Sequence, residues 1–186
     1  MFIQTEETPN PATLKFLPGT TVIASGNIEF RSLDEAGQSP LAQALFSVKG
    51  VAGVFLAEEF ISITKEEAND WQLMKPSLLG VIMEHFTAQR PVLLDNQDNH
   101  VLDLGTEPDD EIVSQIKELL YTRVRPAVAQ DGGDIVFENF EDGVVTLQMR
   151  GACAGCPSST ATLKMGVENL LRHYIPEVKE VVASGI

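Results

Sequence analysis

The 186-residue sequence is poor in cysteine, in basic side chains and in long apolar runs. Its two cysteines, Cys153 and Cys156, are separated by only two residues, which excludes the disulfide framework that holds many small secreted domains together. Only 13 lysines and arginines stand against 27 aspartates and glutamates, so the formal net charge is −14 at pH 7. Because an acidic surface repels phosphate groups, the sequence predicts neither nucleic-acid binding nor membrane-surface binding.

Apolar runs long enough to span a membrane are absent. The two longest runs, residues 51–57 and 78–83, are far shorter than the roughly 18 residues needed to cross a bilayer. Residues 1–7 contain neither the basic region nor the apolar stretch of export and organelle leaders. We therefore expect a soluble cytoplasmic protein, and its apolar content of 44% suffices for one large domain or two small ones.

Turn-forming residues divide the sequence into two domains, 1–90 and 107–186, joined by a linker of residues 91–106. The linker has no lysine or arginine, no helical pattern, and several asparagines and aspartates. In the first domain the patterns predict the element order ββαββα, with Pro76 kinking or restarting the last helix. The predicted strands are 13–17, 27–30, 51–56 and 60–64, and the predicted helices follow Ser39 and Asp70 and end near Gly50 and Ala88.

The second domain shows patterns that predict the order αββαβ. The predicted elements are a helix from about 106 to 130 with Pro126 inside it, strands 135–140 and 144–150, a helix from Pro157 to about Tyr174, and a strand 178–183. We interpret Asp131-Gly-Gly-Asp134 as a structural chain reversal, since it lacks the further oxygen ligands of a calcium loop. Both domains mix helices and strands, so the sequence predicts an α+β protein of two small domains.

The two cysteines lie in the segment Gly151-Ala-Cys-Ala-Gly-Cys-Pro157, between a predicted strand and the first turn of a predicted helix. The free amide donors and positive dipole end at a helix start favour ionised thiols. The small residues of this segment also allow the backbone to approach a ligand closely. Such a pair is compatible with a metal or iron–sulfur site, with a redox dithiol, or with chance.

The number of thiols limits what one chain can bind. An iron–sulfur cluster or a closed zinc site normally takes four ligands, and this chain has two thiols. His85 and His100 lie in the other domain and the linker, and His173 lies about 24 Å along the last helix from the cysteine segment. A symmetric dimer with its two cysteine segments face to face would supply four thiolates, so we predict a homodimer around a shared centre.

Five segments of the sequence resemble a known family. Three resemble the C-terminal domain of NifU-like proteins: Arg125-Pro-Ala-Val-Ala-Gln-Asp-Gly-Gly-Asp134, Gly151-Ala-Cys-Ala-Gly-Cys-Pro-Ser158 and Thr162-Leu-Lys-Met-Gly-Val-Glu168. Two resemble the N-terminal domain of Nfu-type members: Thr8-Pro-Asn-Pro-Ala-Thr-Leu-Lys-Phe-Leu-Pro-Gly19 and Ser39-Pro-Leu-Ala-Gln-Ala-Leu-Phe46. The resemblance covers nearly the whole chain in the family's domain order.

This resemblance implies a non-enzymatic scaffold or carrier in iron–sulfur cluster assembly. It implies that Cys153 and Cys156 bind a [4Fe–4S] cluster bridged between two protomers. It also implies that the cluster passes to apo iron–sulfur proteins, that upstream cluster-assembly proteins are partners, and that the N-terminal domain recognises partners. A [2Fe–2S] cluster would satisfy four thiolates equally.

A thiol–disulfide oxidoreductase is the main alternative, because a Cys-x-x-Cys pair at a helix start is also a redox arrangement. The missing aromatic residue before Cys153 and the missing βαβ unit disfavour it. A zinc-stapled interaction module is a third possibility. We interpret Arg150 as an exposed strand residue or as a charge partner for a cluster. Met149 and Met165 are expected in cores, and neither thiol is expected to be needed for one.

Overall fold

The computed structural model describes residues 2–94, 110–154 and 157–184, with the backbone alone for residues 157–159. The chain forms two compact units, Met1–Leu102 and Asp103–Ile186. Each unit combines helices with its own sheet, which confirms the α+β class and the two-domain organisation. The domain boundaries given above remain predictions, and most of the predicted linker, residues 95–106, lies outside the described residues.

The first unit is a five-stranded antiparallel sheet with two helices. Its elements are β1 (Gln4–Glu7), β2 (Thr13–Leu17), β3 (Asn27–Phe30), a 3-10 turn (Glu35–Gln38), α1 (Pro40–Phe46), β4 (Val51–Ala57), β5 (Ile61–Lys65) and α2 (Trp71–Thr87). The strand order is β1-β2-β5-β4-β3. The predicted order ββαββα is therefore correct from β2 onward but lacks the first strand.

Strand β1 has no hydrophobic pattern to reveal it. Gln4 lies opposite Leu17 and Glu7 lies opposite Leu14 in its antiparallel pairing with β2. Three of its four residues are exposed, because β1 is the outermost strand of the sheet. A strand that buries almost nothing needs no alternation of apolar and polar residues, and its sequence carries no signal of the kind used for prediction.

The two helices begin at the predicted caps. The Ser39 hydroxyl accepts the Ala42 amide at 3.1 Å, and the Asp70 carboxylate accepts the Gln72 amide at 2.8 Å. Each such cap stabilises its helix by about 1 kcal/mol. The expected restart at Pro76 is wrong, because α2 runs continuously past it, and the alternative, a kink at Pro76, stays a prediction. Pro76 lies on the exposed side of α2, where water can satisfy the carbonyl that loses its amide partner.

The core of the first unit lies between the sheet and the helices. Helix α2 places Met74, Leu78 and Ile82 along its buried face, as its apolar spacing predicts. Each fully buried leucine, isoleucine or phenylalanine contributes about 1.5–3 kcal/mol through removal from water. The largest fully buried side chains of this core are Phe16, Phe30, Leu41, Leu45, Leu56, Ile61, Ile63, Leu78 and Ile82.

Three hydrogen bonds hold residues 91–94 against the rest of the first unit. These bonds join the Ser39 hydroxyl to the Val92 carbonyl at 2.7 Å, the Leu94 amide to the Gln38 carbonyl at 2.8 Å, and the His85 ring to the Pro91 carbonyl at 3.1 Å. Ser39 therefore caps α1 and also holds the segment that follows α2. His85 is 2% exposed, and the Pro91 carbonyl gives its buried ring a polar partner.

The buried histidine predicts an acid-sensitive first unit. Burial lowers the pKa of His85, and the positive charge of Arg90 lowers it further, whereas backbone hydrogen bonds with Pro91 and Arg90 offset only part of the effect. The neutral ring is thus favoured in the fold, and its contribution to stability is complete above the unfolded value of about pH 6.5 and is lost as the pH falls. We expect the free energy of unfolding of this unit to fall as the pH drops below about 6.5.

Trp71 is the single tryptophan of the chain, so its fluorescence during urea unfolding reports the first unit alone. His85→Gln, which retains a donor for the Pro91 carbonyl but does not titrate, should flatten the pH dependence over the same range. Equal pH dependence in both proteins would contradict the assignment to His85.

The second unit places its helices against a three-stranded sheet. Its elements are α3 (Glu111–Leu119), a π-helical turn (Leu120–Val124), α4 (Arg125–Gln130), β6 (Gly133–Glu141), β7 (Val144–Gly151), α5 (Pro157–Tyr174) and β8 (Glu180–Ser184). Strand β7 is central, antiparallel to β6 and parallel to β8. The predicted order αββαβ is confirmed.

The predicted helix with Pro126 inside it is not regular, because the π-helical turn Leu120–Val124 lies just before the proline. Proline has no amide hydrogen and cannot continue the regular ladder, so the widened turn absorbs the irregularity. Helix α4 then ends at Gln130, and Gly132 reverses the chain into β6 with a φ of +78°. Among the described helices of both units, none has the length and apolar character required to cross a membrane.

Candidate functional site

The cysteine segment occupies the predicted position between a strand and a helix. Strand β7 ends at Gly151, which has a φ of +63°, and α5 begins at Pro157. Cys153 lies within the described part of this loop, whereas Gly155 and Cys156 lie outside the described residues. The geometry below therefore concerns the Cys153 side of the loop.

Three hydrogen bonds fix the backbone around Cys153. The Ala152 amide donates to the Gly132 carbonyl at 3.2 Å, and the Ala154 amide donates to the Gly151 carbonyl at 3.1 Å. In addition, the Thr160 hydroxyl of α5 donates to the Cys153 carbonyl at 3.1 Å. The loop is thus attached to the strand before it, to the helix after it and to the turn that precedes β6.

Cys153 is a core residue of the second unit, only 5% exposed. The expectation that neither thiol is needed for a core is therefore wrong for Cys153. A buried cysteine behaves as a small hydrophobic side chain, which explains its place among aliphatic neighbours. The buried residues of this core are Ile116, Leu120, Val124, Val128, Ile135, Val145, Leu147, Met149, Cys153, Val167, Leu171, Ile175, Val178 and Val181.

The segment Asp131-Gly-Gly-Asp134 lies next to the cysteine loop, because its last two residues pair with the end of β7. Gly133 is paired with Gly151, and Asp134 is paired with Arg150, in the β6–β7 ladder. The segment reverses the chain as predicted, but it also carries the Asp134 carboxylate into a buried ion pair. The sequence interpretation of this segment as a turn was thus correct but incomplete.

Asp134 forms a two-pronged ion pair with Arg125 of α4. The Arg125 Nε and Nη2 atoms donate to the two carboxylate oxygens of Asp134, each at 2.7 Å. The guanidinium also stacks on the Tyr121 ring, 4.7 Å from its centroid. Parallel donation to both oxygens is the strong form of this interaction and fixes α4 relative to the start of β6. The pair was not predicted, because nothing in a nine-residue separation across a turn indicates it.

Arg150 extends from β7 on the other side of the loop. Its Nε and Nη2 atoms donate to the Gln148 side-chain oxygen at 3.0 and 2.8 Å. Arg150 is a strand residue as interpreted, but it is partly buried rather than fully exposed. The alternative role as a charge partner for a cluster remains a prediction.

Of the two methionines that were expected in cores, one is buried and the other is exposed. Met149 is 4% exposed and lies in the core as expected, whereas Met165 is 66% exposed and the expectation of a core position is wrong. Val167, two residues further along α5, is buried, and two residues correspond to about 200° around a helix, so Met165 lies on the opposite, exposed face. Across residues 2–94, 110–154 and 157–184, no group of three or more histidines, cysteines or acidic residues is arranged to hold a metal ion.

Two family models match the chain. The model described as scaffold protein Nfu/NifU N terminal matches residues 3–89, and the model described as NifU-like domain matches residues 116–182. The two matches follow the order of the two structural units.

Curated relatives match over almost the whole chain. A protein of Drosophila sechellia named "NFU1 iron-sulfur cluster scaffold homolog, mitochondrial" is 54% identical over 182 residues, covering 97% of this chain and 64% of the relative. The protein of the same name from Drosophila persimilis is 53% identical over 185 residues, with the same two coverages. The chain thus spans 64% of the length of these relatives.

Among solved structures, the solution structure of a NifU-like protein from Saccharomyces cerevisiae matches 52% of this chain and 87% of its own, with 26% identity and a TM-score of 0.47.

The names of the curated relatives overturn one expectation. They are called mitochondrial, so the prediction of a cytoplasmic protein is wrong. The expectation rested on the lack of a leader pattern in residues 1–7, and the mature form of an organelle protein shows no such pattern either.

Proposed function

We propose that this chain, which belongs to the family of Nfu- and NifU-type iron–sulfur cluster scaffold proteins, carries a [4Fe–4S] cluster as its cargo. In this proposal Cys153 and Cys156 of one protomer and the same pair of a second protomer hold the cluster between them. The dimer then delivers it to apo-proteins of the mitochondrion. The chain acts as a carrier and catalyses no reaction of its own.

The count of thiols supports sharing between two chains. Four thiolates are the usual complement of an iron–sulfur cluster, and this chain has two cysteines in all. Two protomers supply the full set without any other residue. A cluster held by only two bonds to each protomer is also easier to release than one held by four bonds within one chain.

The attachment of the Cys153 loop supports a role in holding cargo. Three hydrogen bonds fix its backbone, and the second core packs against its buried side. A ligand held in this way loses little conformational freedom when it binds, so less of the binding free energy is spent on ordering it. The Thr160 contact links the ligand to α5, and the Gly132 contact links it to the turn before β6.

Delivery of the cluster needs only ligand exchange. A thiolate of the acceptor replaces a Cys153 or Cys156 thiolate at iron, and the departing sulfur takes up a proton or remains ionised. No electron transfer and no covalent chemistry of the polypeptide is required. As each bond to one protomer is replaced, the dimer loses the bridge that holds it together.

Anaerobic reconstitution with ferrous iron and sulfide tests the proposal. We expect a brown dimer containing about four irons per two chains, with the Mössbauer spectrum of a [4Fe–4S] centre. Chelation of the iron should return the protein to monomers. A colourless monomer after this treatment, or a cluster retained by a single chain, would contradict the proposal.

Two further measurements separate the carrier from other thiol chemistry. Metal-free protein should show no turnover in an insulin disulfide-reduction assay, which a thiol–disulfide oxidoreductase would catalyse. The metal-free second unit should also stay folded, whereas a module held together by zinc would unfold on chelation.

A further inference from the structure

Gly133 and Cys153 approach each other so closely that position 133 has no room for a side chain. A Cβ atom built on Gly133 would lie 2.6 Å from the Cys153 Sγ, 3.0 Å from the Cys153 amide nitrogen and 2.8 Å from the Arg150 carbonyl oxygen. These distances are shorter than van der Waals contact, so the site has no room for even a methyl group. Two of the three opposing atoms belong to the backbone and cannot rotate away.

The backbone conformation of Gly133 does not by itself require glycine. Its neighbours Gly132 and Gly151 have positive φ angles, whereas Gly133 does not. It begins β6 and pairs with Gly151 in the regular ladder. The requirement for glycine at position 133 therefore comes from the closeness of Cys153 and Arg150.

The cysteine loop cannot easily move aside to admit a larger residue. The carbonyl of Cys153 accepts the Thr160 hydroxyl, and the neighbouring Ala152 amide donates to the Gly132 carbonyl. Displacement of the loop away from β6 would stretch both bonds. Displacement of the cysteine side chain alone would remove its sulfur from the core in which it is buried.

We infer that Gly133 is a positioning residue for the Cys153 thiol, fixing where this sulfur lies by having no side chain of its own. The inference rests on the proposed function for its consequence, because Cys153 is a proposed cluster ligand. Two cysteines of one protomer must reach the same cluster, so a shift of one sulfur weakens the binding of the cluster by both. Supporting contacts around metal ligands typically change affinity by about 10- to 100-fold when they are lost.

Thiol alkylation in metal-free protein tests the positioning without reference to cargo. In a Cys156→Ser background Cys153 is the only thiol of the chain, so iodoacetamide consumption reports that residue alone. We expect Gly133→Ala to raise the alkylation rate of Cys153 on the order of tenfold, because the added methyl group displaces the sulfur from its buried place.

Two control variants separate positioning from general destabilisation. Gly166→Ala adds the same methyl group to α5, where a Cβ atom meets nothing within 4 Å. Ile135→Ala removes a buried side chain of the same core, two residues further along β6, and lowers stability without adding any atom against Cys153. Alkylation rates are compared at urea concentrations where Gly133→Ala and Ile135→Ala have equal fractions folded by circular dichroism.

Cluster retention in the chain with both cysteines completes the test. Reconstituted Gly133→Ala should lose its iron to a chelator about tenfold faster than the Gly166→Ala protein. An alkylation rate equal to that of either control would overturn the inference, as would a displaced thiol with unchanged cluster retention. If even the unaltered chain accepts no cluster, the proposed function fails. The alkylation comparison alone then decides whether Gly133 positions the thiol.

Discussion

Replacement of either cysteine by serine is expected to abolish stable cluster binding. Cys153→Ser or Cys156→Ser leaves a dimer with two thiolates in place of four, and a hydroxyl is a poor iron ligand at neutral pH. After anaerobic reconstitution and gel filtration, each variant should contain close to no iron and sulfide. A serine variant that retained about four irons per two chains would contradict the assignment of that cysteine.

The Cys153 substitution also has a structural effect, because this residue is buried in the second core. Cys153→Ser places a hydroxyl among aliphatic side chains, which costs about 1–3 kcal/mol where it finds no hydrogen-bond partner. Cys153→Ala avoids the buried hydroxyl and should lose the cluster as completely. Thermal unfolding of both metal-free variants checks that loss of iron is not loss of fold.

Asp134→Ala is expected to lower the free energy of unfolding of the second unit by about 3 kcal/mol. The Asp134 side chain is 7% exposed and that of Arg125 is 19% exposed, so the ion pair is largely shielded from water. Removal of the carboxylate takes the acceptors away from two guanidinium donors of Arg125. The free-energy cost of this loss is larger than the net contribution of the intact ion pair to stability.

Amide hydrogen exchange of β6 and β7 measures this effect within the whole chain. Glu141→Ala, at the exposed far end of β6, is the matched control and should change stability by no more than about 0.5 kcal/mol. A double variant that also carries Arg125→Ala should be little less stable than Asp134→Ala alone, since the interaction is already lost. Additive losses from the two substitutions would show that the residues do not act as a pair.

Helices and interior strands could be predicted from the sequence because burial imposes a pattern on them. The spacing of Met74, Leu78 and Ile82 gives the buried face of α2, and alternation in β7 places Val145, Leu147 and Met149 in the core. Where burial is slight, the pattern disappears. This explains why β1 was missed. The wrong expectation for Met165 has another reason: it followed from the apolar side chain alone, although Met165 lies two residues, about 200° around the helix, from the buried Val167.

The candidate site was predictable in its chemistry but not in its packing. The pair Cys153 and Cys156, with the glycines and proline around it, indicates a ligand-binding loop from sequence alone. Gly133 and Cys153 are twenty positions apart in the sequence, so no local pattern indicates that they are in contact. A glycine next to another glycine is most simply interpreted as part of a turn. Only the folded ladder brings this position against the sulfur.

The two glutamates of β1 bear on how the protein behaves at high concentration. The outermost strand of a sheet exposes backbone groups that can pair with the same strand of another molecule. In β1, Glu6 and Glu7 place carboxylates on this edge strand, and within the described ranges Glu6 alone of the two has an ion-pair partner, Lys15 at 3.3 Å. Like charges thus meet when two such edges approach, and this repulsion discourages sheet extension and fibrous aggregation at neutral pH.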